Sequence, residues 1–375
     1  MPWGVVSLMS LRQEFVRLSE KKAVSFTELC QRYGISRKTG YKWLGRHRKQ
    51  GSEGLLDYSR RPKNSPGQLP QAKERALISL RSSYPRWGAR KIRRLLKNQG
   101  EKTVPASSTI TAVFHRHGLI DAGSKAAKPN WQRFEHEVPN SLWQMDFKGP
   151  LATLGGPTQA LSVLDDHSRF NLCLKALPDQ TRESVKPALT ETFRLYGLPN
   201  SMIMDNGSPW GRDLAHPYTR LTVWLIRLQI RVSHSRPYHP QTMGKDERFH
   251  GTLNRELLQR RQWQGIPDLQ AAFALFRQQY NFIRPHDALG LELPASRYQV
   301  SLRSFPESLP PINYDPEVMV RKVQQKGEIY FKGKILKVGH AFSGYPVGLK
   351  ATATDGVFDV LFCHQTIRQI NLREL

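Results

Sequence analysis

Phe26, Leu29, Cys30 and Tyr33 recur at i, i+3, i+4 and i+7, the spacing of one helical face. Gly34 supplies a turn, Ile35 a core plug and Ser36 an N-cap for a following helix. That second helix buries Trp43 and Leu44 and exposes Arg37, Lys38, Thr39 and Lys42. Residues 1–56 thus have helix-turn-helix form, two helices at a fixed angle with the second offering short polar and basic side chains. An ordinary helical hairpin is the alternative reading. Gly40 inside the second helix departs from the pattern, at ~1 kcal/mol of helix propensity.

Residues 57–70 gather Pro, Ser and Gly around Arg60, Arg61 and Lys63 and predict a basic linker. A second helical unit follows over 71–120. One helix carries Leu77 and Leu80. A second, over 87–100, turns Ile92, Leu95 and Leu96 inward and Arg90, Arg93, Arg94 and Lys97 mostly outward. A third opens at Pro105 and Ser107 or Ser108 and carries Ile110, Val113 and Phe114. Residues 121–141 form a polar connection with Trp131 and Phe134 as anchors.

From residue 142 strands and helices alternate. Strands are predicted over 143–149, 160–170, 171–177 and 201–207, with a helix over 181–197 between the last two. A helix over 221–230, a strand from Ile230 and long helices over 244–261 and 267–286 complete residues 142–300. Three strands, helix, strand, helix, strand, helix is the order of a ribonuclease-H-like α/β core, in which strands one and four are neighbours. After a Pro-rich linker (301–316), residues 317–375 read as five short strands of a small SH3-like β-barrel. Asp355-Gly356 marks a hairpin there. The fold class is therefore multidomain: N-terminal all-α units, a central α/β core and a C-terminal barrel.

Charge changes this picture. The 375 residues hold 57 Lys and Arg against 31 Asp and Glu, a net charge of +26. Residues 1–130 carry 27 basic against 8 acidic residues and the rest 30 against 23, so the excess lies in the helical third. Such a field concentrates a polyanion, and nucleic acid is the expected partner. Arg60 and Arg61 then suit a minor groove, although a solvated tether is an equal reading. No run approaches ~18 apolar residues and no signal pattern opens the chain, so a membrane or secreted protein is not expected. Cys30, Cys173 and Cys363 are far apart and outside any CxxC, which fits a reducing cytosol.

Three carboxylates stand where an α/β site would need them. Asp146 lies within the first core strand, Asp205 ends the fourth before Asn206-Gly207, and Glu247 opens the long helix. Grouped acids repel one another unless a cation joins them. Mg²⁺ prefers such hard oxygen ligands, and two ions can serve an in-line phosphoryl displacement. Asp165 and Asp166 are adjacent on a strand end and point to opposite faces, one of them supporting the site or the following turn. Asp246 lies about 100° around the helix from Glu247 and reads as a solvated neighbour. Glu191 is expected on an outer helix face.

The blocks WQMDF, MDNGSPWG and YHPQTMGKDERFHGTLNREL, with LDDHSRF, resemble the signature blocks of DDE transposases of bacterial insertion sequences, relatives of retroviral integrases. The resemblance spans essentially the whole chain and is nearest to transposases made from a single reading frame. The 41 residues between Asp205 and Glu247 exceed the family's usual gap. The surplus sits around 212–221, where a surface insertion costs little. The integrase N-terminal His/Cys zinc module is absent, replaced by the helix-turn-helix pair.

By this resemblance Asp146, Asp205 and Glu247 form the catalytic triad and hold two Mg²⁺ or Mn²⁺ ions, Asp146 bridging both. The implied activity is cleavage at the terminal inverted repeats and transfer of the freed end to target DNA. The implied partners are double-stranded DNA and a homodimer or larger homo-oligomer assembled on it, in the bacterial cytoplasm at the nucleoid. Tyr238, Arg248 and Arg255 are candidate DNA contacts, with a solvated helix face the alternative for Arg255. His239 suits a positioning role ahead of Pro240 better than that of a general base. A non-catalytic helix-turn-helix regulator and a nuclease without strand transfer are the rival readings.

Overall fold

The structure is a computed structural model describing residues 8–22, 24–58, 69–120, 135–211, 217–235 and 244–373. The expected linker arginines Arg60 and Arg61, the anchors Trp131 and Phe134, and the loop residues Tyr238, His239 and Gln241 lie outside the described residues. The chain divides into two compact units, 1–70 and 71–375.

In the first unit, α1 (Leu8–Glu20), α2 (Phe26–Arg32) and α3 (Arg37–Gln50) enclose Phe15, Val16, Leu29, Cys30, Trp43, Leu44 and Leu55. Ser36 caps α3, its Oγ accepting from the Thr39 amide at 3.2 Å. Gly34 makes the turn at φ +61°. Gly40 is explained by packing: a Cβ there would stand 2.8 Å from both Cys30 Sγ and Phe26 Cζ. The helix accepts a poor former so that α3 can close on α2. Arg37, Lys38 and Lys42 are exposed, whereas Thr39 is half-buried with its hydroxyl 2.9 Å from Ser36 Oγ.

The second unit opens with α4 (Gln71–Ser83), α5 (Ala89–Asn98) and α6 (Ser107–Arg116), packed on Leu77, Ile92, Leu95, Ile110, Val113 and Phe114. The middle helix begins at Ala89, because Gly88 takes an extended backbone as its N-cap, and Trp87 is buried ahead of it. Arg90 is exposed. Arg93 departs from the outward reading: its Nε donates to the Pro105 carbonyl at 3.2 Å and ties the turn between α5 and α6.

The core contains β1 (Leu142–Thr153), β2 (Gly156–Asp165), β3 (Asn171–Leu177), α7 (Arg182–Tyr196), β4 (Ser201–Met204), α8 (Arg220–Arg227), β5 (Arg231–His234), α9 (Gly244–Glu256) and α10 (Ile266–Phe282), with a short α11 (Pro294–Arg297). The sheet order is β3-β2-β1-β4-β5. β1 to β3 run antiparallel and β4 and β5 parallel to β1. Alternation along β1 sends Trp143 and Met145 toward α7 and α8, and Asp146 to the face covered by α9 and α10. Glu191 is exposed and paired with Lys175 at 2.7 Å.

Both sheet edges are covered by side chains. Gln270, Arg277 and Asn281 of α10 bond the backbone of β3. Gln365 bonds both the amide and the carbonyl of Val232 in β5, at 2.9 and 2.8 Å. Such capping removes the open edge that would otherwise template strand pairing.

The tail has six strands: β6 (Met319–Lys322), β7 (Glu328–Phe331), β8 (Lys334–Lys337), β9 (Pro346–Ala351), β10 (Val357–Phe362) and β11 (Gln365–Asn371). They form a sheet ordered β11-β10-β9-β6 and a hairpin of β7 and β8. The stretch expected as one strand over 328–338 folds back at Lys332-Gly333, both at positive φ, as a two-residue hairpin turn requires. Asp355-Gly356 lies in the longer connection between β9 and β10, where Ala351 pairs with Phe358. Among the described residues no helix is long and apolar enough to cross a membrane.

Candidate active site

Asp146 and Asp205 reach the site from adjacent strands. Asp146 sits within β1 with its side chain 25% exposed. Its Oδ1 accepts from the Phe147 amide at 2.8 Å. Asp205 follows the last residue of β4 and is exposed, and its Oδ1 accepts from the Gly207 amide at 3.1 Å. The turn is pinned to the end of β5: His234 Nδ1 donates to the Asp205 carbonyl at 2.7 Å, and Asn206 Nδ2 to the Ser235 carbonyl at 2.9 Å. Glu247 is the fourth residue of α9 and faces outward.

The three carboxylates share one electrostatic field. Burial raises the Asp146 carboxyl to about 6, and the charges of Asp205 and Glu247 push the same way, against the Phe147 amide and Lys148. They do not form a closed cage: among the described residues no three His, Cys, Asp or Glu side chains are gathered tightly enough to hold a metal. The set is all hard oxygen, and each aspartate has one oxygen fixed by a backbone amide. That chemistry suits a hard divalent cation, which would offset the burial and the neighbouring charges that raise Asp146.

Asp246 overturns its reading as a solvated neighbour. It is fully buried, with Oδ1 accepting from Ser162 Oγ at 2.9 Å and Oδ2 without a hydrogen-bond partner among the described residues. Burial, then the charge of Asp146, pushes its carboxyl well above the usual range. His250, one turn on, has Nε2 2.8 Å from Ser162 Oγ and Nδ1 3.7 Å from Asp146 Oδ2. Burial holds the imidazole near 4 and therefore neutral at pH 7. The sequence reading offers none of Ser162, Asp246 and His250 as a site residue. The signal is present, because Asp246, Phe249, His250 and Leu253 form the i, i+3, i+4, i+7 stripe that α9 turns to the sheet.

The adjacent Asp165 and Asp166 take different tasks. Asp165 closes the turn after β2, accepting from Ser168 and from the Asn140 amide. Asp166 accepts from Gln144 Nε2 at 2.8 Å and the His136 amide at 2.9 Å, and pairs with Lys245 at the start of α9. Arg248 and Arg255 are both exposed on α9.

Comparison with known proteins agrees with this architecture. The family models that match are Helix-turn-helix domain (residues 11–63), Homeodomain-like domain (39–114), Integrase core domain (136–240 and 228–294) and IS481 family transposase, C-terminal domain (318–375). The 31.7 kDa protein of insertion element IS407 from Burkholderia multivorans is 23% identical over 293 residues, covering 76% of this chain and 93% of that protein. The 39.2 kDa protein of insertion element IS476 from Xanthomonas euvesicatoria is 22% identical over 243 residues, covering 64% of this chain and 68% of that protein. Among solved structures, the HTLV-2 integrase catalytic core domain in complex with magnesium is 17% identical with a TM-score of 0.32, covering 43% of this chain and 97% of that one. An integrase catalytic core of the DDE transposase and integrase type, preceded by helix-turn-helix units and followed by a segment that matches the IS481 family transposase C-terminal domain, gives this chain the make-up of an insertion-element transposase.

Proposed function

We propose that this transposase binds the terminal inverted repeats of its element as double-stranded DNA, cuts a strand there and joins the freed end to target DNA. The observation that carries the reading is the approach of three carboxylates, Asp146, Asp205 and Glu247, from two neighbouring strands and the helix over them, with the charges of the latter two both acting on Asp146. These residues would hold Mg²⁺ or Mn²⁺, two ions per site. When bound, such ions polarise phosphate oxygens and stabilise charge on the attacking and leaving oxygens of an in-line displacement.

The same carboxylates serve two successive displacements. In the first, water attacks the phosphodiester at the element end and a 3′-hydroxyl leaves. In the second, that hydroxyl attacks a target phosphodiester, whose own 3′-oxygen departs. In each step one P–O3′ bond breaks and one P–O bond forms: the first joins the water oxygen to phosphorus and leaves a 5′-phosphate beside the freed 3′-hydroxyl, and the second forms the new joint. Joining two ends in one event calls for a homodimer or larger homo-oligomer on DNA, working at the bacterial nucleoid in the cytoplasm.

DNA contacts are assigned to exposed basic side chains: Arg37, Lys38 and Lys42 on α3, Arg90 on α5, and Arg248 and Arg255 on α9. Thr39 joins them only through its cap position, and Arg93 only through the turn it ties. Glu247→Gln tests the reading. It abolishes strand joining while inverted-repeat binding persists, and chelation by EDTA does the same to the wild type. Undiminished joining by Glu247→Gln would remove that residue from the mechanism.

A further inference from the structure

The two residues that precede Glu247 on α9 are both fastened to the β2 segment. Lys245 Nζ is ion-paired with the Asp166 carboxylate and also donates to the Asp166 carbonyl at 3.3 Å. Asp246 Oδ1 accepts from Ser162 Oγ at 2.9 Å. Ser162 lies directly across from Asp146 in the β1–β2 register, and its hydroxyl is 3.2 Å from the Asp146 carbonyl. One turn along α9, His250 bonds the same hydroxyl at 2.8 Å. Asp166, Ser162 and Asp246 are each at most 1% exposed. They are thus closed to DNA, while Glu247 between them and the site is open.

A helix start has four amides without intrahelical partners and frays readily. A side chain in that first turn is only as well placed as the turn itself. Here the turn is held at two successive residues, by an ion pair to the buried Asp166 and by the buried Ser162 hydroxyl, to the strand that neighbours Asp146 and to the residue that follows that strand. We propose that Asp166 and Ser162 are positioning residues for catalysis, which through Lys245 and Asp246 fix the stance of Glu247 toward Asp146. The inference rests on the assignment of Asp146 and Glu247 as metal-holding carboxylates.

The full-length protein tests it with Lys245→Met, its conservative counterpart Lys245→Arg, and Ser162→Ala. Three measurements are made well below the melting temperature of each variant. They are strand joining against Mg²⁺ concentration, Mn²⁺ affinity by calorimetry without DNA, and amide exchange over 244–250 in metal-free protein. The expected result for Lys245→Met is a roughly 10–100-fold weaker metal affinity, the range typical of residues that orient ligands. Faster exchange over 244–250 and unchanged inverted-repeat binding accompany it, and Lys245→Arg recovers most of the affinity. Ser162→Ala, which changes little volume, shifts metal affinity in the same direction.

Wild-type metal affinity and exchange in both Lys245→Met and Ser162→Ala would overturn the inference, as would losses that only follow the unfolded fraction. Glu247→Gln measured in parallel keeps the two readings apart. If it still joins strands, the ligand assignment has failed. If it is inactive while Lys245→Met and Ser162→Ala bind Mn²⁺ normally, only the positioning role falls.

Discussion

Trp87 donates its indole N–H to Glu256 Oε2 at 3.2 Å, joining the approach to α5 to the last residue of α9. Both side chains are buried, and Glu256 also pairs with Arg284 at 2.9 Å. Nearby, Lys91 of α5 pairs with Asp287 at 2.9 Å. The helix that carries Glu247 near its start thus anchors the α4–α6 unit at its end.

Glu256→Gln is expected to destabilise residues 71–375 strongly, by about 3–5 kcal/mol, because Arg284 keeps its buried charge and loses its partner. Trp87→Phe retains most of the ring and loses the hydrogen bond, at about 1–3 kcal/mol. Urea unfolding followed by tryptophan fluorescence and circular dichroism ranks the two. Equal midpoints for Glu256→Gln and wild type would show that the buried pair contributes nothing.

Two glycines of α3 predict opposite outcomes from the same change. A methyl group added at Gly45 meets nothing within 4 Å, so Gly45→Ala gains helix propensity of up to ~1 kcal/mol. At Gly40 the methyl would press on Cys30 and Phe26, and the overpacking cost of about 1–3 kcal/mol outweighs the same gain. Thermal melting of the full chain should show Gly45→Ala raised and Gly40→Ala lowered. A stabilising Gly40→Ala would mean that the α2–α3 contact relaxes freely.

Arg37, Lys38 and Lys42, exposed in the first half of α3, make a prediction about salt. Each phosphate contact removed should flatten the log–log salt dependence of duplex binding by about 0.9. Arg37→Ala, Lys38→Ala and Lys42→Ala should each do so by one contact or less. The Lys42 ammonium lies 4.3 Å over the Trp43 ring, so its removal also disturbs the helix surface. Titrations at several salt concentrations measure the slopes, and three slopes identical to wild type would take Arg37, Lys38 and Lys42 off the DNA.

Much of this architecture is legible in the sequence because local signals agree with one another. Ser36, Gly34 and the Phe26-to-Tyr33 stripe specify the first helix pair, and the alternating core order specifies β1 beside β4. What escapes is decided by partners distant in sequence. Arg93 looks outward on a helical wheel, but the carbonyl that takes it belongs to Pro105. Asp246 and Glu247 diverge around α9 as expected, but in the opposite sense: Glu247 faces out and Asp246 in. Counting Asp246 and His250 into the stripe with Phe249 and Leu253 gives the right sense, but polar residues on an apolar stripe identify themselves only once a partner such as Ser162 is known. The hairpin at Lys332-Gly333 is hidden because the apolar runs on either side, Ile329 to Phe331 and Ile335-Leu336, read as one strand unless the polar Lys332-Gly333-Lys334 between them is taken as a turn.

The raised carboxyl of Asp146 predicts a specific pH dependence for the metal-free protein. Its folded value, about 6, lies above its ordinary 3.8. Folding therefore favours the protonated form, and this contribution is complete below about 3.8 and lost as pH rises through about 6. Above pH 6 the folded protein carries a carboxylate disfavoured by burial and by Asp205 and Glu247. Asp146→Asn removes that burden, so the metal-free variant should be more stable than wild type at about pH 7.5, on the order of 1–3 kcal/mol. The advantage should shrink between about pH 6 and 4 and vanish below. Saturating Mg²⁺ should reverse the order at about pH 7.5, since a ligand that binds only the folded wild type stabilises it alone. Melting curves from about pH 4 to 8, with and without the ion, measure both effects. A variant less stable than wild type at neutral pH without metal would show that Asp146 is not under the strain its surroundings imply.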